Sequence, residues 1–209
     1  MSYKKHIVDT MKKLYKSNYI SIRDGNVSFK PKNENFFYIS AGSVRKNEIN
    51  EDQVIKVDFK KKDMFFRKDL DYNLKFDLNF DKNYEYLPSR EIYMHSLLQT
   101  DKYYSSKDIF VVHAHPPNII SFLGINGKSS KNELNNIKEI FPEINVGKIG
   151  KNVVYHEAGS LDLAKNCFDN LINNDIIGLE RHGTLSIGND IDKIFEDIET
   201  LEYYIKATK

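Results

Sequence analysis

Tryptophan is absent from this 209-residue chain, and cysteine occurs once. The lone Cys167 excludes an internal disulfide and any metal site built on several thiolates. It falls within the helical spacing Leu163–Cys167–Leu171, which reads it as a small buried side chain rather than a nucleophile. No run of about 18 apolar residues occurs, so no membrane-spanning helix is expected. Met1 to Lys5 is polar and lacks the apolar core of a secretory signal, which together with the single thiol predicts a cytoplasmic protein. A surplus of either charge is missing too: 31 Lys plus Arg face 30 Asp plus Glu. A net charge of +1 removes the electrostatic case for nucleic acid or an anionic membrane as partner, so an anionic ligand must be gripped by local groups. Neither a Walker loop nor a dinucleotide-binding glycine fingerprint is present.

What the chain does have is core-forming material, with 40% hydrophobic residues including 13 Phe and 13 Tyr. Ile7, Val8, Met11, Leu14 and Tyr15 form one face of a helix over residues 4–18. Asp24–Gly25–Asn26 reads as a turn before strands at 27–30 and 36–40, and Asn50 caps a short turn before a strand at 54–57. From Leu70 to Phe80 apolar residues alternate with polar ones, as in a hairpin arm with one wet face. Pro88 opens a helix over 89–100, followed by an apolar strand over 108–114 and a helix over 118–123. Residues 124–131 read as a polar loop, 133–140 as a helix and 152–155 as a strand. Ser160 caps a helix to Leu171, strands at 176–179 and 184–187 flank Arg181–His182–Gly183, and a final helix follows Asp190. Strands and helices alternate without a repeat or low-complexity linker, which predicts one α/β or α+β domain over 1–209.

The chemistry concentrates in a few residues. In Val112–His113–Ala114–His115–Pro116 the two imidazoles are separated by one residue, so on a strand they share a face with Cα atoms roughly 6–7 Å apart. His182, between an apolar strand and Gly183, supplies a third imidazole. Three histidines with an open fourth position are a catalytic pattern for zinc. A Lewis-acid metal needs a neighbouring base, and Pro88–Ser89–Arg90–Glu91 places a carboxylate in the first turn of a helix, with His95 above it on the same face. Asp24–Gly25–Asn26–Val27–Ser28 and Ile39–Ser40–Ala41–Gly42–Ser43 are small polar turns able to offer N–H groups and hydroxyls to an anion.

Taken in order along the chain, Gly25–Asn26–Val27–Ser28, Ile39–Ser40–Ala41–Gly42–Ser43, Pro88–Ser89–Arg90–Glu91 with His95, Val112–His113–Ala114–His115–Pro116 and Arg181–His182–Gly183 resemble the class II aldolase/adducin family. The resemblance runs from about residue 5 to residue 205 and includes Glu157–Ala158–Gly159–Ser160. It implies an α/β/α fold with a central, largely antiparallel sheet covered by helices, and a homotetramer with sites at subunit interfaces. It implies that His113, His115 and His182 hold one zinc per chain, with Mn²⁺, Fe²⁺ or Co²⁺ as substitutes. Glu91 is implied as the acid/base, and Asn26, Ser28, Ser89 and the Gly42–Ser43 turn as phosphate binders. Within the family the pattern is closest to L-fuculose-1-phosphate aldolases, which implies retro-aldol cleavage of a phosphorylated ketose to dihydroxyacetone phosphate and an aldehyde.

This chain departs from the family pattern at several positions. Glycine and serine are exchanged in Ala41–Gly42–Ser43, and Arg90 stands where a second serine is usual, able to grip a phosphate or carboxylate bidentately. No tyrosine occurs in Leu134 to Glu143 to act as acid toward the aldehyde oxygen. The segment around 59–87 is longer than usual and reads as an added hairpin. Two other enzymatic readings, a sugar-phosphate 4-epimerase and a dehydratase like methylthioribulose-1-phosphate dehydratase, share the histidines; the epimerases usually carry Asp where this chain has Glu91. A non-catalytic adducin-like module would lack the metal ligands that are present here.

Overall fold

The computed structural model describes residues 2–58, 85–124 and 133–209. The expected hairpin around 59–87, with its alternation over 70–80, and the polar loop at 124–131 lie outside the described residues, apart from 85–87 and Gly124.

Helix α1 spans Tyr3–Lys16 because Ile7, Val8, Met11 and Leu14 recur on one face and are buried, while the Ser2 side chain accepts from the Lys5 N–H at its start. Strands β1 (Asn26–Lys30), β2 (Phe36–Ser40) and β3 (Val54–Asp58) follow. A single helical turn, Glu51–Gln53, leads into β3 and is closed by Asn50 and Gln53 in a capping box. Then come α2 (Ile92–Thr100), β4 (Ile109–Ala114), α3 (Pro117–Phe122), α4 (Asn136–Ile140), α5 (Leu161–Leu171), β5 (Ile176–Leu179), β6 (Gly183–Gly188) and α6 (Ile191–Lys206). Ser160 caps α5 through the Leu163 N–H, and Asp190 caps α6 through those of Asp192 and Lys193.

The strands form a six-stranded sheet in the order β3-β2-β1-β4-β6-β5, with every strand pairing antiparallel. Helices cover both faces, giving the expected α/β architecture with an antiparallel centre. On central β4 the alternation separates two cores: Phe110, Val112 and Ala114 pack with α1, α3 and α6, while Ile109 and Val111 pack with α2 and α5. Every residue of β4 is therefore buried, as a strand covered on both sides requires.

Strand β1 alternates as well, but its polar face is not wet. Asn26, Ser28 and Lys30 are all buried on the side of the sheet that carries α2. Each of the three is satisfied internally, Lys30 by donating Nζ to the carbonyls of Tyr104, Ser105 and Lys107.

Three expected elements differ, the helix expected over 133–140 being regular only over Asn136–Ile140. Regular α2 begins at Ile92 rather than Ser89, because the Ser89 hydroxyl takes the Glu91 N–H and Pro88 is drawn into a bridge with Ala41. Over 152–155 only Val153 pairs, in one parallel bridge to Leu179, and Val154 and Tyr155 turn outward to solvent. Among the described residues no helix is long and apolar enough to cross a membrane.

Candidate active site

The antiparallel register of β1, β4 and β6 brings the site together. Asn26 lies opposite His113 across β1 and β4, and His113 lies opposite Leu185 across β4 and β6. His182 sits in the three-residue connection between β5 and β6, whose return is possible because Gly183 has φ +146; a Cβ there would lie 2.1 Å from the Ala114 carbonyl oxygen.

The His113 Nδ1 bonds to the Thr184 carbonyl oxygen at 2.9 Å, and only N–H can donate to a carbonyl, so in the neutral ring Nε2 carries the lone pair. That Nε2 lies 2.8 Å from His115 Nε2 and 3.2 Å from His182 Nε2. A tetrahedral ion bound at about 2.0–2.1 Å separates its nitrogen ligands by roughly 3.3 Å, close to this spacing. Burial, and then the neighbouring imidazoles, push the His182 pKa down to about 4 and that of His113 well below the usual histidine range. Burial thus favours the neutral rings of His113 and His182, and with the His115 Nε2 beside them the three imidazoles form a donor set that a divalent cation fits.

Asp24 stands behind His115, its Oδ2 3.4 Å from His115 Nδ1, and Ser21 donates to both of its oxygens. Against the upward push of burial, hydrogen bonds from His115 and Ser21 hold its carboxyl down to about 2.

Glu91 is buried at the start of α2. One oxygen, Oε1, lies 3.9 Å from His182 Nε2, and the other, Oε2, is buried with no hydrogen-bond partner among the described residues. Burial raises its pKa, opposed by a hydrogen bond from the Gly159 N–H and by the charges of His115 and Arg90. Gly159, at φ +78, comes so close that a Cβ would lie 2.9 Å from the Arg90 carbonyl oxygen. A half-satisfied carboxylate beside three imidazoles can accept or return a proton without moving far.

The second half of the site is made of turns packed backbone against backbone. Gly42 N–H donates to the Leu87 carbonyl, and a Cβ on Gly42 would lie 3.1 Å from the Pro88 carbonyl oxygen. Ser43 holds φ +59, with the Arg23 guanidinium donating to its carbonyl oxygen. The Asn26 amide donates to Ser89 Oγ at 3.0 Å, and its oxygen is held by His95 Nε2. Full burial pushes the His95 pKa down to about 3, so the ring is neutral and the network orients the Asn26 amide.

Nine of the ten residues singled out in the sequence line one cavity of about 290 Å³. The tenth, Ser28, does not: its hydroxyl lies behind the wall, 2.7 Å from His95 Nδ1, and accepts from Gln99. Ser28 thus supports His95, whereas Arg23, Asp24 and Lys46, which sequence reasoning passed over as site residues, join the lining. Asp24 had a signal as the first residue of the Asp24–Gly25–Asn26 turn, and Arg23 in preceding it. Lys46 had none, being one basic residue among 31.

Residues 5–208 match the family described as Class II Aldolase and Adducin N-terminal domain. An L-fuculose phosphate aldolase of Methanocaldococcus jannaschii is 29% identical over 208 residues, 98% of this chain and 94% of that protein. Among solved structures, an L-fuculose 1-phosphate aldolase superposes with a TM-score of 0.68 at 20% identity, over 99% of this chain and 85% of that one. A sugar-phosphate aldolase from Thermotoga maritima gives 0.69 at 14% identity, over 98% and 92%. At such identities the structural likeness speaks for the fold.

Proposed function

This chain belongs to the class II aldolase/adducin family, and on that premise we propose that it is a zinc-dependent lyase cleaving a phosphorylated ketose to dihydroxyacetone phosphate and an aldehyde. The observation that carries the reading is the position of Glu91, buried with one free oxygen and 3.9 Å from the imidazole cluster, in the same cavity as the anion-receptive turns. The fuculose-phosphate aldolase of M. jannaschii supports the substrate class.

In this reading His113, His115 and His182 hold the metal, which when bound supplies Lewis-acid stabilisation of negative charge developing on the substrate's oxygens. The chain's own groups do the rest. Thr184 and Asp24 fix the ring orientations of His113 and His115. Asn26, Ser89, Arg90 and the Gly42–Ser43 turn hold the phosphate and so place the carbon–carbon bond. Glu91 shuttles the proton at the carbon released by cleavage; its raised pKa brings it nearer the pH at which it must both take and give that proton. The whole chain acts as one domain, and the functional unit is a homotetramer.

The test is to incubate purified protein, with its metal content measured, with a panel of ketoses and ketose phosphates and to assay for dihydroxyacetone phosphate. Triose phosphate with about one zinc per chain is the expected result. A dehydrated product without triose would replace the aldolase by a dehydratase, an epimerised sugar by a 4-epimerase, and a metal-free inert protein by an adducin-like module. Light scattering tests the tetramer.

A further inference from the structure

Among the described residues two lysines are almost wholly buried, Lys30 and Lys46, each 1% exposed. Removing an ammonium from water is costly unless its three N–H groups find acceptors. Lys30 has them: its Nζ reaches the carbonyls of Tyr104, Ser105 and Lys107 at 3.2, 3.5 and 3.4 Å, and it lies away from the cavity. Lys46 does not. Its Nζ makes one hydrogen bond among the described residues, to the Ala41 carbonyl at 2.7 Å, and Lys46 lines the cavity that contains the histidines.

The surroundings of Lys46 leave its charge only partly answered. Its backbone N–H donates to the Ile22 carbonyl at 2.8 Å, which pins the residue beside Arg23 and Asp24. Asp24 is the anion acting on it, but that carboxylate is already engaged by Ser21 and His115. Burial outweighs this attraction and pulls the Lys46 pKa down to about 8, so the charged form is held in a poorly compensated state. Arg23 and Arg90 line the same cavity. Three cations therefore gather around the Gly42–Ser43 turn in a chain whose net charge is only +1.

We propose that Lys46 is a substrate-binding residue that donates to the substrate's phosphate oxygens and, with Arg23 and Arg90 beside it, makes this site select a dianionic ligand over a neutral one. The two spare N–H groups of Lys46 are the acceptor-seeking donors, and the phosphate completes their hydrogen bonding. This inference rests on the phosphorylated-sugar reading and adds the residue that discriminates by charge.

The experiment compares metal-loaded wild type, Lys46→Met and Lys46→Arg. Affinity for inorganic phosphate is measured by calorimetry, and kcat/KM for a phosphorylated and an unphosphorylated ketose by steady-state kinetics. Lys46→Met should lose about ten-fold or more in phosphate affinity, the loss of at least one hydrogen bond to a charged group, with zinc content unchanged. Its preference for the phosphorylated ketose should fall by a similar factor, and Lys46→Arg should restore most of both. Unchanged phosphate affinity, or an equal loss for both ketoses, overturns the proposal. If Lys46→Met does not fold, Lys46→Gln, which keeps a donor for Ala41, gives the same readings; failure of both to fold makes the residue structural and also overturns it. Lys46-dependent phosphate binding by a protein that cleaves nothing would sink the lyase reading and leave this one standing. Cleavage by a protein whose phosphate affinity ignores Lys46 would do the reverse.

Discussion

At the scale of single residues, Glu91 and His113 make separable contributions to one site. Glu91 faces the imidazoles without being needed to assemble them, since His113 is held by Thr184 and His115 by its N–H on the Tyr19 carbonyl. Replacing Glu91 by Gln is therefore expected to leave metal content near the wild-type value while lowering kcat by about 10²–10⁴-fold, the usual range for a lost general acid/base. Metal analysis alongside steady-state kinetics checks this, and loss of metal together with activity would count against the role. His113→Ala removes the central nitrogen of the three, and zinc retention after gel filtration should drop to below about a tenth of wild type. His113 and His115 were legible in the sequence because a period of two on a strand is a local property. The partner carboxylate Asp24 was legible only as a turn residue, since its approach to His115 depends on how the Ser21–Asp24 turn folds back.

At the scale of elements, the β5–β6 hairpin and the seam between β1 and α2 carry the arrangement. Gly183 sits where any side chain would collide with the Ala114 carbonyl and where φ is +146. Gly183→Ala should destabilise the protein by roughly 3 kcal/mol or more, combining a strained φ with a steric clash, and displace His182. Chemical denaturation and zinc content together would reveal it, and a wild-type denaturation midpoint would contradict it. In the β1–α2 seam, His95 is buried as the neutral ring between Ser28 and Asn26. Its folded pKa of about 3 lies below the ordinary 6.5, so the unfolded chain binds a proton there first. Its contribution to stability is thus complete above about pH 6.5 and is lost as pH falls toward 3, at up to about 1.4 kcal/mol per pH unit. His95→Gln should flatten the pH dependence of unfolding over that window, and an unchanged slope would show that His95 is not the titrating group. The helices and most strands could be read from periodicity and caps, as α5 and α6 illustrate. The polar face of β1 misleads a local reading, because alternation of Asn26, Ser28 and Lys30 with Val27 and Phe29 describes a wet strand until α2 is laid over it.

At the scale of the whole molecule, the histidine cluster and Glu91 draw on three separate parts of the chain. His113 and His115 come from the end of β4, His182 comes from the β5–β6 connection, and α2 presents Glu91 to them. A ligand that binds only this folded arrangement must stabilise all of it. With free zinc at 1,000 times its dissociation constant the gain is about 4 kcal/mol, or roughly 8–16 °C in Tm for a chain of this size. Scanning calorimetry with and without a chelator measures this, and coincident melting curves would mean the cluster is not occupied. The same long-range assembly explains why Ser28 and Lys46 could not be sorted by sequence. Ser28 lies within a motif that resembles a phosphate-binding turn, yet β1 points it at His95 and Gln99. Lys46 lies outside any motif, yet its backbone bond to Ile22 sets it in the cavity wall.

The amino-acid sequence by itself determined the family, the alternation of helices and strands, the three histidines and Glu91, because each depends on residue type at short spacing or on the order of motifs. The tertiary structure alone decided which side chains share a cavity, which carboxylate steadies a histidine and which buried lysine lacks acceptors. Those outcomes depend on register between strands far apart in the chain and on which face of β1 is covered by α2, and neither is encoded in the neighbours of any one residue.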